Sequence, residues 1–458
     1  MEAPMFARLR AALLAAVGAI AVLAPGAASA QGLIRDAEIE QTLRVYSEPL
    51  LEAAGLEPDD VDLYLLGDES LNAFVAGGQN IFVHTGLILA AENPNELIGV
   101  LAHETGHIAG GHLARNRQAM RQAMGPAWIS LGLGVLAIAA GAPQAGAALI
   151  SGAPQFAQSN FVRHTQVQES AADQAAVQYL EATGQSGEGL ISFFNHSLRQ
   201  YEFQVRRMPP YMMTHPFTSD RVEALRERVA QQPNVGAEDS SEYLERFRFM
   251  QAKLYGFLMN RGQTLARYPE SDTSQPARYA RAVAYYRAAE LPRAREELNV
   301  LLAESPNNPF FHELMGQILF ENGRAEESIP FHRRSVELYP NQPLLMANLA
   351  RALTAAHGRD GAAEAIELLQ QAVRLEPDNA FAWRELAAAR EELGERGLAE
   401  LASAEQNYAM GNFPAALSFA ERARRSLEQN TPSFQRATDI AIFATEEVRQ
   451  RAEQAGRS

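Results

Sequence analysis

From Gln31 to about Leu66 the apolar and polar positions follow a helical period, and the run IEQTLRVYSEPLLEAAG stops at Gly55. The next stretch, DLYLLGDESLNAFVAGGQNIFVHTGLI, is built differently. Short β-prone runs separated by Asp-Glu-Ser and by Gly77-Gly78 predict a hairpin or small antiparallel sheet. Asn95 to Arg117 returns to a helical pattern, with Leu97, Val100, Leu101 and Ile108 on its apolar side. Between Arg121 and Arg163 no charged residue occurs, and 128–150 is strongly apolar. Gly132, Gly134, Gly141, Pro143 and Gly146 cut that run into pieces short for a membrane span. A buried or interfacial helical hairpin is expected there, with peripheral membrane contact through 128–157. Val162–Thr183, Gly187–Tyr201 and a segment opening near Ser219 read as helices, and 230–242 reads as a linker.

Beyond about residue 245 the chain becomes a series of Ala-rich helical pairs. SPNNP at 305–309, YPNQP at 339–343 and EPDNA at 376–380 recur as punctuation, with Pro306 and Pro340 34 residues apart. A period near 34, with Gly323 and Ala325 inside it, resembles the tetratricopeptide repeat. Such pairs bury their apolar faces only by stacking on neighbours, so an interaction surface is expected. The fold class is therefore mainly α with a small β-sheet. A first domain over 31–230 is followed by a linker and connecting helix over 231–268 and a helical repeat solenoid over 269–458.

Composition narrows the function. A chain of 458 residues with 47% hydrophobic and 21% charged residues is globular and long enough for two or three domains. Its formal net charge of −15 argues against nucleic-acid binding, which needs clustered Lys and Arg. Arg8 and Arg10 precede an apolar run, and Ala28-Ser29-Ala30 supplies small residues before Gln31, so 1–30 reads as a signal peptide cleaved after Ala30. There is no cysteine, hence no disulfide and no thiolate metal ligand. Lys253 is the only lysine.

The chemistry lies in VLAHETGHIAGGH, residues 100–112. His103 and His107 are four apart, so on a helix both imidazoles share one face, as two ligands of a tetrahedral metal require. Glu104 is placed to take a proton from a water at the open position. His112 is one position early for the third ligand of a metzincin, whose site here is Leu113. A carboxylate from a later helix is the alternative. Glu169 and Asp173 in VQESAADQAAVQYL are again four apart; Glu169 would complete a His₂Glu set, and Asp173 could orient a ligating histidine.

HETGH, the Glu169–Asp173 pattern, the upstream NAFVAGGQNIFVHTGLI and the downstream THPFTSDR together resemble the periplasmic BepA-type zinc metallopeptidases. These are relatives of the HtpX and CAAX-prenyl-protease group and of gluzincin type. The resemblance covers roughly residues 33–230, and the family also carries a C-terminal tetratricopeptide domain. It implies one Zn²⁺ per chain on His103, His107 and Glu169, with Glu104 as general base and Asp173 behind the ligands. It further implies His215 and Arg221 as catalytic residues and Asn72, Ala73 and Phe74 as the edge strand holding substrate backbone. His215 reads either as a fourth ligand that plugs the metal at rest or as an oxyanion stabiliser. The implied role is a periplasmic endopeptidase of a Gram-negative cell, acting on unfolded or misassembled polypeptides and meeting the outer-membrane assembly machinery through its repeats. The rival is a chaperone or assembly factor in which proteolysis is secondary or latent.

Overall fold

Asp36 opens the first long helix. Its carboxylate accepts from the backbone N–H groups of Glu38 and Ile39, capping α1 (Ala37–Ala53). The computed structural model describes residues 32–115, 165–203, 215 and 219–455. The expected signal peptide and the hairpin at 128–157 lie outside the described residues. Among the described residues, no helix is long and apolar enough to cross a membrane.

Four short strands follow the β-prone pattern: β1 (Leu33–Ile34), β2 (Leu63–Leu66), β3 (Ala73–Ala76) and β4 (Asn80–His84). They form one sheet in the order β1-β2-β4-β3. β3 and β4 make the expected hairpin across Gly77-Gly78, where φ is +63° and +117° and a side chain would be strained. The sheet is mixed rather than antiparallel, because β2 runs parallel to β4 with Tyr64 beside Phe82. The chain leaves β2, runs to the far edge as β3, and only then returns between them. The run Thr85-Gly86-Leu87-Ile88 is not a strand continuation. Gly86 N–H and the Thr85 hydroxyl both bond to Asp68 O, and helix α2 (Thr85–Ala90) begins there.

The next helix, α3 (Pro94–Ala109), is capped by Asn93, whose side chain accepts from Glu96 N–H. It breaks at Gly110-Gly111, where Gly111 adopts φ +60°, and residues 112–115 are helical again. Behind it pack α4 (residues 165–182), α5 (Glu188–Phe203) and α6 (Ser219–Val229). Leu43, Leu50, Val83, Leu97, Val100, Leu101, Leu180 and Phe194 share this first core.

Helix α7 (Ser241–Leu258) does more than connect. Phe247, Met250 and Leu254 join the first core, whereas Phe249 packs with Tyr279 and Phe311 in the next. The preceding turn is anchored too: Gln232 accepts from Gly187 N–H and donates to Val177 O, both at 2.9 Å. Antiparallel helix pairs then run in sequence: Gln275–Arg287 with Leu291–Glu304, Pro309–Glu321 with Ala325–Leu338, Pro343–His357 with Arg359–Leu375, Ala380–Glu392 with Arg396–Ala409, and Phe413–Ser426 with Pro432–Ala455. The punctuation residues cap them. Asn308, Gln342 and Asn379 each accept from backbone N–H groups of the helix that follows.

The start of α1 is seated against these repeats, with Ala37 packed among Phe310, Leu344 and Leu345. Lys253, the lone lysine, is buried at this junction. Its Nζ lies 2.8 Å from Asp36 Oδ2, 3.2 Å from Glu38 Oε2 and 3.8 Å from Glu313 Oε2. One cation faces three carboxylates, and burial pushes the Glu313 carboxyl up to about 7, only partly opposed by Lys253.

Candidate metal centre

Helix α3 presents His103 and His107 on the side facing α4, which presents Glu169 and Asp173. The two helices touch backbone to backbone at Gly106. A Cβ there would lie 2.9 Å from Ala172 O and 3.1 Å from Ala172 Cα, so the glycine of HETGH sets the helix separation. His215 enters from the segment before α6, and Arg221 comes from the first turn of α6.

Four donor groups converge: the side chains of His103, His107, Glu169 and His215 offer ligand atoms all within 4.8 Å of one another. His103 Nε2 lies 3.0 Å from His107 Nε2, 3.4 Å from Glu169 Oε2 and 3.2 Å from His215 Nδ1. His107 Nε2 is 3.4 Å from Glu169 Oε1, and His215 Nδ1 is 3.1 Å from Glu169 Oε2. A tetrahedral cation bonded at about 2.0–2.1 Å spaces its ligand atoms about 3.3 Å apart. The donor set fits such an ion in chemistry, and the separations lie near that spacing, with Glu169 offering Oε2 toward His103 and His215 and Oε1 toward His107.

The supporting contacts are ionic and buried. His103 Nδ1 lies 3.0 Å from Asp173 Oδ1, which orients the ring from behind. Arg221 donates to both oxygens of Asp173, with Nη2 to Oδ1 at 2.8 Å, and its Nη1 is 3.0 Å from Glu169 Oε2. Its guanidinium stacks over Phe194, 5.2 Å from the ring centroid. Burial would raise both carboxylates, but the histidine and arginine hydrogen bonds hold Glu169 and Asp173 below their ordinary values. Burial lowers His107, keeping it neutral as a ligand must be.

Glu104 sits beside the cluster, fully buried, with neither carboxylate oxygen hydrogen-bonded among the described residues. His215 Nε2 lies 3.4 Å from its Oε1. Burial raises its carboxyl above the ordinary value. An unsatisfied, desolvated carboxylate is costly to bury, and here it is available to accept a proton.

All the residues expected around the metal are thus gathered at one place. Asn72, Ala73 and Phe74 run along the sheet edge, and β3 packs on α3. Two contributors had no assigned role. Phe194 on α5 packs edge-on to His103, with ring centroids 6.5 Å apart, and nothing in its local pattern marks it. His112, set aside above as a metzincin-type third ligand, places its Nδ1 2.9 Å from His107 Nδ1. A metal on His107 Nε2 would leave the ring proton on Nδ1, where it would be donated to His112. A Cβ on Gly110 would lie 2.5 Å from His112 Nε2, so the Gly110-Gly111 pair is the sequence signal that lets this ring fold back.

Comparison with known proteins agrees with this geometry. Residues 35–229 match the model of peptidase family M48. The chain is 28% identical over 392 residues to a beta-barrel assembly-enhancing protease of Yersinia pestis, covering 84% of this chain and 79% of the relative. It is 27% identical over 395 residues to the protein of the same name from Escherichia coli K12, covering 85% of this chain and 80% of that one. Among solved structures it is similar to yeast Tom70, at 14% identity and a TM-score of 0.30, over 81% of this chain and 85% of that one.

Proposed function

From the premise that residues 35–229 form a peptidase M48 domain, which makes the chain a metallopeptidase, we propose a zinc-dependent endopeptidase of the Gram-negative cell envelope. The observation that carries the reading is the convergence of one ligand atom each from His103, His107, Glu169 and His215 to within 4.8 Å of one another, with the buried Glu104 beside them. Three of these side chains, His103, His107 and Glu169, are the working ligands. When bound, Zn²⁺ supplies Lewis acidity and lowers the pKa of an attacking water toward neutrality. Glu104 takes the proton from that water and later gives it to the leaving amine. Arg221 is committed to Asp173 and Glu169, so we assign it to positioning the carboxylates rather than to the oxyanion. The relatives' names and the repeats favour unfolded or stalled β-barrel polypeptides of the outer membrane as clients, with the repeats meeting the assembly machinery. An extended client strand pairs through its backbone with β3 at Asn72–Phe74.

A catalytic metal needs one open position, and His215 Nδ1 stands where the fourth ligand would be. His215 therefore acts as a latch that holds the enzyme quiet until a client or partner draws it away. Changing His215 to Ala raises basal hydrolysis of denatured casein several-fold with zinc content unchanged. A fall in kcat with zinc retained would instead assign His215 to oxyanion stabilisation.

The second contact behind the ligands has its own consequence. Removing the ring that receives the His107 proton loosens a ligand without deleting one, so His112→Ala retains zinc at saturation but binds it roughly 10- to 100-fold more weakly. Competition against a chromogenic chelator measures this; an affinity equal to wild type would leave His112 a packing residue.

A further inference from the structure

The outer face of the sheet carries a ladder of three aromatic rings, one from each of three adjacent strands. Tyr64 on β2 stacks on Phe82 of β4 with centroids 5.1 Å apart and an interplanar angle of 21°. Phe82 stacks in turn on Phe74 of β3 at 5.1 Å and 14°. The alternate residues of β3, Ala73 and Val75, belong to the core face, so the ladder is on the opposite side. All three rings are only half-buried. Tyr64 lines a cleft facing Tyr339, Glu376 and Asp378 of the repeats, which closes that end. At the Phe74 end, β3 is the last strand of the sheet among the described residues. His84 meets Phe74 edge-on at 5.8 Å and fixes the tilt of that ring.

The backbone register says what would come next. His84 N–H donates to Asn72 O, so Asn72 and His84 are a hydrogen-bonded pair in the antiparallel hairpin. Such pairs alternate with non-bonded ones. Phe74 is therefore bonded to Phe82, and the N–H and C=O of Ala73 and Val75 point outward from the sheet. An antiparallel strand added at this edge would bond to Ala73 and Val75. Its residue opposite Phe74 would occupy a non-bonded pair, the kind in which facing side chains lie closest.

We propose that this ladder selects substrate: an aromatic side chain opposite Phe74 on the paired client strand adds as a fourth ring. The substrate class is strand-forming polypeptide with Phe, Tyr or Trp at one fixed register from the scissile bond. The inference rests on the reading above that clients pair with β3, and it adds a side-chain criterion to what would otherwise be sequence-blind backbone pairing. Aromatic stacking of this kind corresponds to about a three- to tenfold preference.

The test uses the full chain and a set of quenched-fluorescent peptides. The parent alternates Thr with small polar residues, and a single Phe is moved through each position in turn. One Phe position is expected to raise kcat/KM about three- to tenfold over the parent. That ratio falls to near one in Phe74→Thr and in Phe74→Leu, which keeps bulk without a ring, and persists in Phe74→Tyr. A preference that survives both non-aromatic variants belongs to another subsite and overturns the proposal. So do equal rates for the parent and every Phe peptide, although cleavage itself would leave the peptidase reading standing. If no peptide is cleaved faster by wild type than by Glu104→Gln, the peptidase reading fails, and this inference fails with it.

Discussion

Replacing Glu104 by Gln lowers peptide hydrolysis by about three orders of magnitude while zinc content and thermal stability stay at their wild-type values. The two side chains share size and shape, so the fully buried pocket is not disturbed. What is lost is the proton acceptor, and among the described residues no other carboxylate at the site is available to replace it. Glu169 belongs to the proposed ligand set and is held by Arg221, and Asp173 is bonded by the same guanidinium and faces His103 from behind. The pH dependence carries the same signature. Burial raises the Glu104 carboxyl, and the base works only when ionised, so wild-type kcat/KM falls as pH drops through a value above the ordinary carboxylate 4.5. The residual activity of Glu104→Gln lacks that limb. Turnover within tenfold of wild type in the variant would mean that another group activates the water.

Much of this site was legible because its chemistry is written as helical spacing. Two residues four apart share a helix face whatever surrounds them, so His103 with His107 and Glu169 with Asp173 could be paired before any fold was known. Their meeting could not be derived that way. It depends on Gly106 letting α3 and α4 touch, and on His215 coming back to the site over a sequence separation of more than 100 residues. His112 shows the limit more sharply. Its helical phase points it away from His107, and only the left-handed turn at Gly111 brings the rings together. In the sheet, alternation gave the strands, but the parallel pairing of β2 with β4 is a choice of topology that alternation does not encode. The boundary between catalytic and repeat regions was read from polar composition near 230–242. α7 hides there because its two apolar faces serve two cores, and a cut near residue 240 would strip Phe247, Met250 and Leu254 from the first. Lys253 carried no signal at all. A lone lysine becomes informative only when Asp36, Glu38 and Glu313 are seen around it.

Removing one ligand has the other large effect. On the proposed ligand set, His103→Ala, His107→Ala and Glu169→Ala each delete one of three donors, and the two that remain, with His215 as a detachable latch, are expected to hold zinc too weakly to survive purification. The remaining partners are then left buried and mismatched: without His103, Asp173 keeps only Arg221, and Glu169 loses a neighbour at 3.4 Å. Each variant is expected to lose hydrolysis below detection and to melt at a lower temperature, because a tightly bound ion stabilises only the folded state. A chelator should lower the melting temperature of wild type and leave that of His103→Ala where it is.

The most direct test of the whole account is the metal content of the full chain, purified without chelator and measured by inductively coupled plasma mass spectrometry. The account predicts one zinc per wild-type chain and less than a tenth of that in His103→Ala and His107→Ala. Wild-type protein free of metal after zinc is supplied, or stoichiometric zinc in either histidine variant, would contradict it.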